Sequence, residues 1–145
     1  MLGERLGGGN LKITGTRILP SQGQQPWIEV SVQGTGTVLG QEVTFLSSYE
    51  QTLHPGGVLR GVGHPILIAA DGSIADCLAG GTGRVLGAGF KATFGWYGSF
   101  QAATGSLARL LEVALVGEYE IEEDGSATWE IWAWTGARVP AAAGL

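Results

Sequence analysis

The run Gly34-Thr35-Gly36-Thr37-Val38-Leu39-Gly40 recurs almost unchanged as Gly81-Thr82-Gly83-Arg84-Val85-Leu86-Gly87, with six of seven positions matching. Both copies sit within sequence of strand character. Glycine removes the side chain and opens backbone geometry closed to other residues. Repeated inside strands, it predicts bends or close strand contacts in a strongly curved sheet.

Strand-like runs follow one another along the chain. Lys12 to Leu19 is closed by Pro20, and Trp27 to Val32 alternates, with Ile28, Val30 and Val32 on one face and Trp27, Glu29 and Ser31 on the other. Gln41 to Thr52 leads into the turn His54-Pro55-Gly56-Gly57, and Val58 to Ala70 continues as strand broken at Pro65. Asp71-Gly72 and Asp124-Gly125 are hairpin signals, each followed by serine. Ser73 to Ala79, Arg84 to Tyr97, Ser99 to Ala103, Val113 to Glu122 and Ala127 to Trp134 complete the strands, and Ser106 to Glu112 is the one candidate helix. This predicts a single domain over 10–135, with a flexible 1–9 and a tail at 136–145. The fold class is all-β: a small antiparallel β-barrel of about eight strands with at most one short helix. Closure removes exposed edges. An immunoglobulin-like sandwich is the structural alternative, but one cysteine cannot make its disulfide.

Composition excludes several classes. Charged residues are 14% of the chain against the usual ~25%, which favours a homo-oligomer that buries part of its exterior. The net charge is −5 and the eight basic residues are scattered, so no nucleic-acid footprint is present. Two histidines ten residues apart and one cysteine match no metal-binding spacing. No cofactor is expected. Neither Gly-x-Gly segment is followed by helical sequence or by Gly-Lys-Ser/Thr, as a phosphate loop would need. Met1 to Asn10 has no apolar core of signal-peptide length, and Arg109 and Glu112 interrupt the apolar run after Leu107. A cytoplasmic protein without a membrane span is the expectation.

The segment Ala79-Gly80-Gly81-Thr82-Gly83-Arg84-Val85-Leu86-Gly87-Ala88-Gly89 resembles the Gly-Gly-Thr-Gly stretch of the allene oxide cyclase and dirigent barrel group. That resemblance implies a small eight-stranded barrel, often oligomeric, with a cavity for an apolar small molecule. Members of that group include cyclases and stereochemical guides. It covers no motif from which catalytic residues carry over. A lipocalin-like barrel is the related architectural option.

Candidate chemistry rests on residue type and face. Glu29, beside Trp27, is a candidate acid or base if that face lines the interior, and a solvated charge if it does not. Tyr49 and Tyr97 are the other candidate catalytic groups. Trp27, Phe94, Trp96 and Trp132 are candidate ligand-binding walls, since flat side chains line apolar pockets and also fill cores. Cys77 and His64 could form a dyad only if their strands present them to the same face. The expected function is binding of an apolar small molecule inside the barrel. A cofactor-independent cyclase or isomerase that shapes a flexible substrate is its sharper form. A non-catalytic binding or guide protein and a structural barrel without ligand are the alternatives.

Overall fold

Among the described residues nine strands pair edge to edge and the last edge meets the first. The computed structural model describes Leu2–Trp134 apart from Gln22 and Gln24. The strands are β1 (Leu2–Leu19), β2 (Trp27–Val38), β3 (Gln41–His54), β4 (Val58–Gly63), β5 (Ile66–Ala69), β6 (Ile74–Val85), β7 (Ala92–Ala103), β8 (Ala114–Ile121) and β9 (Ser126–Trp134). Round the sheet the order is β2-β1-β9-β8-β7-β6-β4-β3, and pairing of β2 with β3 closes it. Strands β4 and β5 are two parts of one stave, because each pairs with β3 on one side and β6 on the other. The break falls at His64-Pro65, where proline has no N–H for the ladder. Nine strands thus make a closed eight-stave antiparallel barrel.

Side chains sort by parity, as a pleated wall requires. Val30 and Val32 point inward, leaving Glu29 and Ser31 outside. Tyr119 and Ile121 point inward between the outer Glu118, Glu120 and Glu122. The buried set runs through the barrel from Leu6 and Val38 to Phe94 and Ala127. A 3-10 helical segment, Gly105–Glu112, closes one end with Leu107 and Leu110 fully buried. Arg109 in that segment donates two hydrogen bonds, 3.1 and 2.9 Å, to the carboxylate of Glu4.

Both Asp-Gly signals mark real turns. Gly72 and Gly125 each have φ +89°, and the aspartate ahead of each accepts the backbone N–H of the following serine at 2.9 Å. Two sequence-based expectations change. Residues 2–9 belong to β1 rather than to a loose terminus, because Gly7 and Gly9 have no side chain where the backbone of β2 presses closest. Arg84 to Tyr97 is not one strand: β6 ends at Val85, and a turn through Gly89 (φ +61°) reverses the chain into β7. The expected tail at 136–145 lies outside the described residues.

The two glycine-rich copies occupy equivalent places. Each forms the last residues of a stave, β2 or β6, before the chain turns back. The inward glycines of each copy lie against the backbone of a neighbouring stave: Gly34 and Gly36 against β1, Gly81 and Gly83 against β7.

Candidate functional site

Midway along the barrel the interior side chains leave a void of about 80 Å³. Its walls are aromatic on one side, with Phe45, Tyr49, Phe94, Trp96, Tyr119 and Trp129. Opposite them, β4 and β6 contribute Gly61, Gly63 and Gly81, so the backbone itself forms the wall. The void exists because large rings face a stretch of barrel that carries almost no side chain. Phe94 and Tyr119 stack at 5.7 Å, Tyr49 meets both edge-on, and Phe45 tilts against Trp129 at 4.9 Å. These contacts fix the rings in offset and edge geometries that aromatic quadrupoles favour.

The polar groups are few. Tyr49 Oη and Tyr119 Oη are 3.2 Å apart and share a hydrogen bond in which either can donate. Burial pushes the Tyr119 hydroxyl up to about 12 and raises that of Tyr49 as well, with the neighbouring Tyr119 adding to the effect. Both phenols are therefore neutral at physiological pH and act as hydrogen-bonding groups rather than bases. Ser47 is the third polar side chain at the wall. Trp129 brings an indole N–H that is buried and has no protein partner. The tyrosine pair keeps one hydroxyl proton beyond its mutual hydrogen bond.

Three of the sequence-derived candidates come together here: Tyr49, Phe94 and Trp96 all line the void. The other four do not. Glu29 lies on the outer face, 3.3 Å from the Arg17 guanidinium, because its strand turns the aliphatic Val30 and Val32 inward. Trp27 shares that outer parity. Tyr97 is 65% exposed on the outside of β7. Trp132 belongs to the outer row of β9 with Glu130, whereas Trp129 and Ile131 face in. Sequence reading missed Phe45, Tyr119 and Trp129. The signal was present: in β8 and β9 each charged residue marks the outer face, so the residue beside it faces in.

Cys77 and His64 do not meet as a dyad. Cys77 is buried inside, while His64 lies outside with Nε2 3.2 Å from Asp76 Oδ1. Burial, with Asp76 second, pushes the Cys77 thiol up to about 12, so it stays protonated and unreactive. An aromatic disulfide reagent at about pH 8 should leave it unmodified in the folded protein and titrate one thiol after denaturation. Rapid modification of the native protein would contradict its placement. Among the described residues no three histidine, cysteine, aspartate or glutamate side chains converge to hold a metal.

The fold recurs in bacteria. A conserved protein of unknown function from Rhodopseudomonas palustris superposes with a TM-score of 0.75 at 10% identity, over 92% of this chain and 99% of that one. A protein with unknown function from Clostridium acetobutylicum gives 0.70 at 10% identity, covering 90% of this chain and 96% of that one. A beta-barrel like protein from Acinetobacter baumannii also gives 0.70 at 10% identity, covering 90% and 93%. The chain matches no protein-family model and no curated protein. At this identity the likeness concerns architecture alone. It agrees with the barrel expected from the glycine-rich segment and does not extend to allene oxide cyclases or dirigent proteins. Among the described residues no helix is long and apolar enough to cross a membrane.

Proposed function

We propose that the barrel is a binding protein for a small, largely apolar molecule held in its interior. The observation that carries this reading is the void itself, which aromatic rings and glycine backbone line beside a tyrosine pair with one hydroxyl proton to spare. An interior evolved only for packing would fill such a space, since each missing methylene costs stability. Size limits the ligand. At about 80 Å³ the space is smaller than a typical ~300–1,000 Å³ ligand pocket and than the ~150 Å³ cavity that accepts benzene. It therefore suits a molecule smaller than benzene, of about three or four heavy atoms, with one hydrogen-bond acceptor for the tyrosine pair. A cyclase that folds a long flexible substrate would need more room. Among the described residues no carboxylate, imidazole or thiol lines the wall to move protons. Binding without turnover is the form the geometry supports.

The test is a thermal-shift series with acetone, acetonitrile and 2-propanol on the wild-type protein and on Ala79→Leu, which places a branched side chain into the void. A ligand at one hundred times its Kd should raise the wild-type melting temperature by about 5–10 °C. The shift should vanish in Ala79→Leu. Equal shifts in both proteins, or none in either, would count against the interior as a binding site.

A further inference from the structure

The outer wall of the barrel is not uniformly polar. Outward residues of four adjacent staves, β4/β5, β6, β7 and β8, together with the end of β9, form one apolar face. Val62, Leu78, Tyr97, Val116 and Trp134 line a common groove on it. The register explains the grouping: Val62 pairs with Gly80, Gly80 with Tyr97 and Tyr97 with Val116, so their side chains fall in one cross-strand row. Gly80 carries no side chain, and the Tyr97 ring lies over it. Ile66, Ile68 and Ile74 extend the face along β5 and β6.

The extent of this face decides what it is for. Its seven large side chains beyond Val116 are each 36–65% exposed. At ~150–200 Å² per fully exposed side chain that is roughly 650 Å² of apolar surface. A monomer's largest patch is usually about 300–600 Å², and a stable dimer takes ~800 Å² from each partner. The polar edge of the face supplies the remainder.

We infer that this face is the contact surface between two copies of the chain. Charge selects a second copy over other occupants. Within the face Asp76 Oδ1 lies 3.2 Å from His64 Nε2, so two faces brought together by a two-fold axis desolvate few charged groups. The surrounding edge is mixed, with Glu50 diagonal to Arg60 across the β3–β4 pair and Glu118 on β8. An anionic membrane would instead call for a rim of lysine and arginine. The chain's low charged fraction, 14%, fits an exterior that is partly covered. Val62, Ala79 and Gly80 border both the groove and the interior void, so a second copy would lie directly over the void's outer wall.

Light scattering coupled to size exclusion, at micromolar concentration, tests this directly. The wild-type protein is expected at about 30 kDa, twice the 15.0 kDa chain. The variant Leu78→Lys/Tyr97→Lys should run at the monomer mass with an unchanged circular-dichroism spectrum, because both side chains point away from the core. Ile18→Lys, on an 82% exposed position outside the face, should stay dimeric. If the double variant fails to fold, Leu78→Lys alone gives the same reading through a dissociation constant raised at least tenfold. A monomeric wild type overturns the inference, as does a folded double variant of wild-type mass. So does a monomer that floats with neutral phosphatidylcholine vesicles, since it would give the face to a lipid surface.

Discussion

Gly34→Ala should lower stability by about 3 kcal/mol, seen as a fall of about 6–12 °C in the melting temperature. A Cβ at that position meets the carbonyl of Asn10 on β1, well inside van der Waals contact. Backbone cannot rotate away as a side chain can, so either the two staves separate or the ladder between β1 and β2 distorts. Gly83→Ala should behave alike, since its Cβ meets the Thr93 carbonyl and the Phe94 ring on β7. The contrast is Gly95→Ala, on the outer face of β7, where nothing lies within 4 Å. There the loss of unfolded-state freedom should leave stability unchanged or raised by up to about 1 kcal/mol. A Gly34→Ala melting point within about 2 °C of wild type would show that the repeated glycine is not there to let staves approach.

The glycine repeat was legible for this reason. Close approach of strands leaves glycine as the one residue that fits, so the requirement is written locally and twice. The Asp-Gly turns and the break at Pro65 were legible in the same way, since each depends on the backbone chemistry of two or three residues. Orientation of faces was harder. Trp27 and Glu29 share a strand face, and the large ring drew attention to it as a possible pocket wall. In a barrel this narrow the interior is also the hydrophobic core, so the aliphatic Val30 and Val32 take the inside and the carboxylate takes water. The same competition moved Trp132 outward and Trp129 inward. Tyr49 and Phe94 could be placed in the site because their neighbours agree with them in parity, whereas the partnership of Tyr49 with Tyr119 spans 70 residues of chain. No local signal encodes a contact set by closing the barrel.

That partnership carries the second large effect. Both phenols have raised pKa values in the folded state, Tyr119 at about 12, against ~10 in an unfolded chain. An acid whose pKa is higher when folded contributes fully below its unfolded value, and that contribution disappears as pH climbs through the folded value. Stability is therefore expected to hold up to about pH 10 and then to fall. Tyr119 alone should remove about 2–3 kcal/mol by pH 12, and Tyr49 adds to the same slope. Together they approach the ~5–15 kcal/mol by which a domain of this kind is stable at all. The wild-type protein should thus unfold cooperatively in this range, with tyrosinate absorbance from the pair rising in step with loss of circular dichroism. Cys77 titrates with the same sign but is common to every variant, so it cancels in comparison. Tyr119→Phe should cost about 1–3 kcal/mol at neutral pH, because it strands the Tyr49 hydroxyl in an apolar interior. Tyr49→Phe/Tyr119→Phe should cost less than the two single changes summed, and its alkaline transition should move to higher pH. If tyrosinate from the pair instead appears gradually near pH 10 while the fold persists, water reaches the hydroxyls freely. The void would then be an open, hydrated channel, and a tyrosine pair bathed in water could not anchor a small apolar ligand.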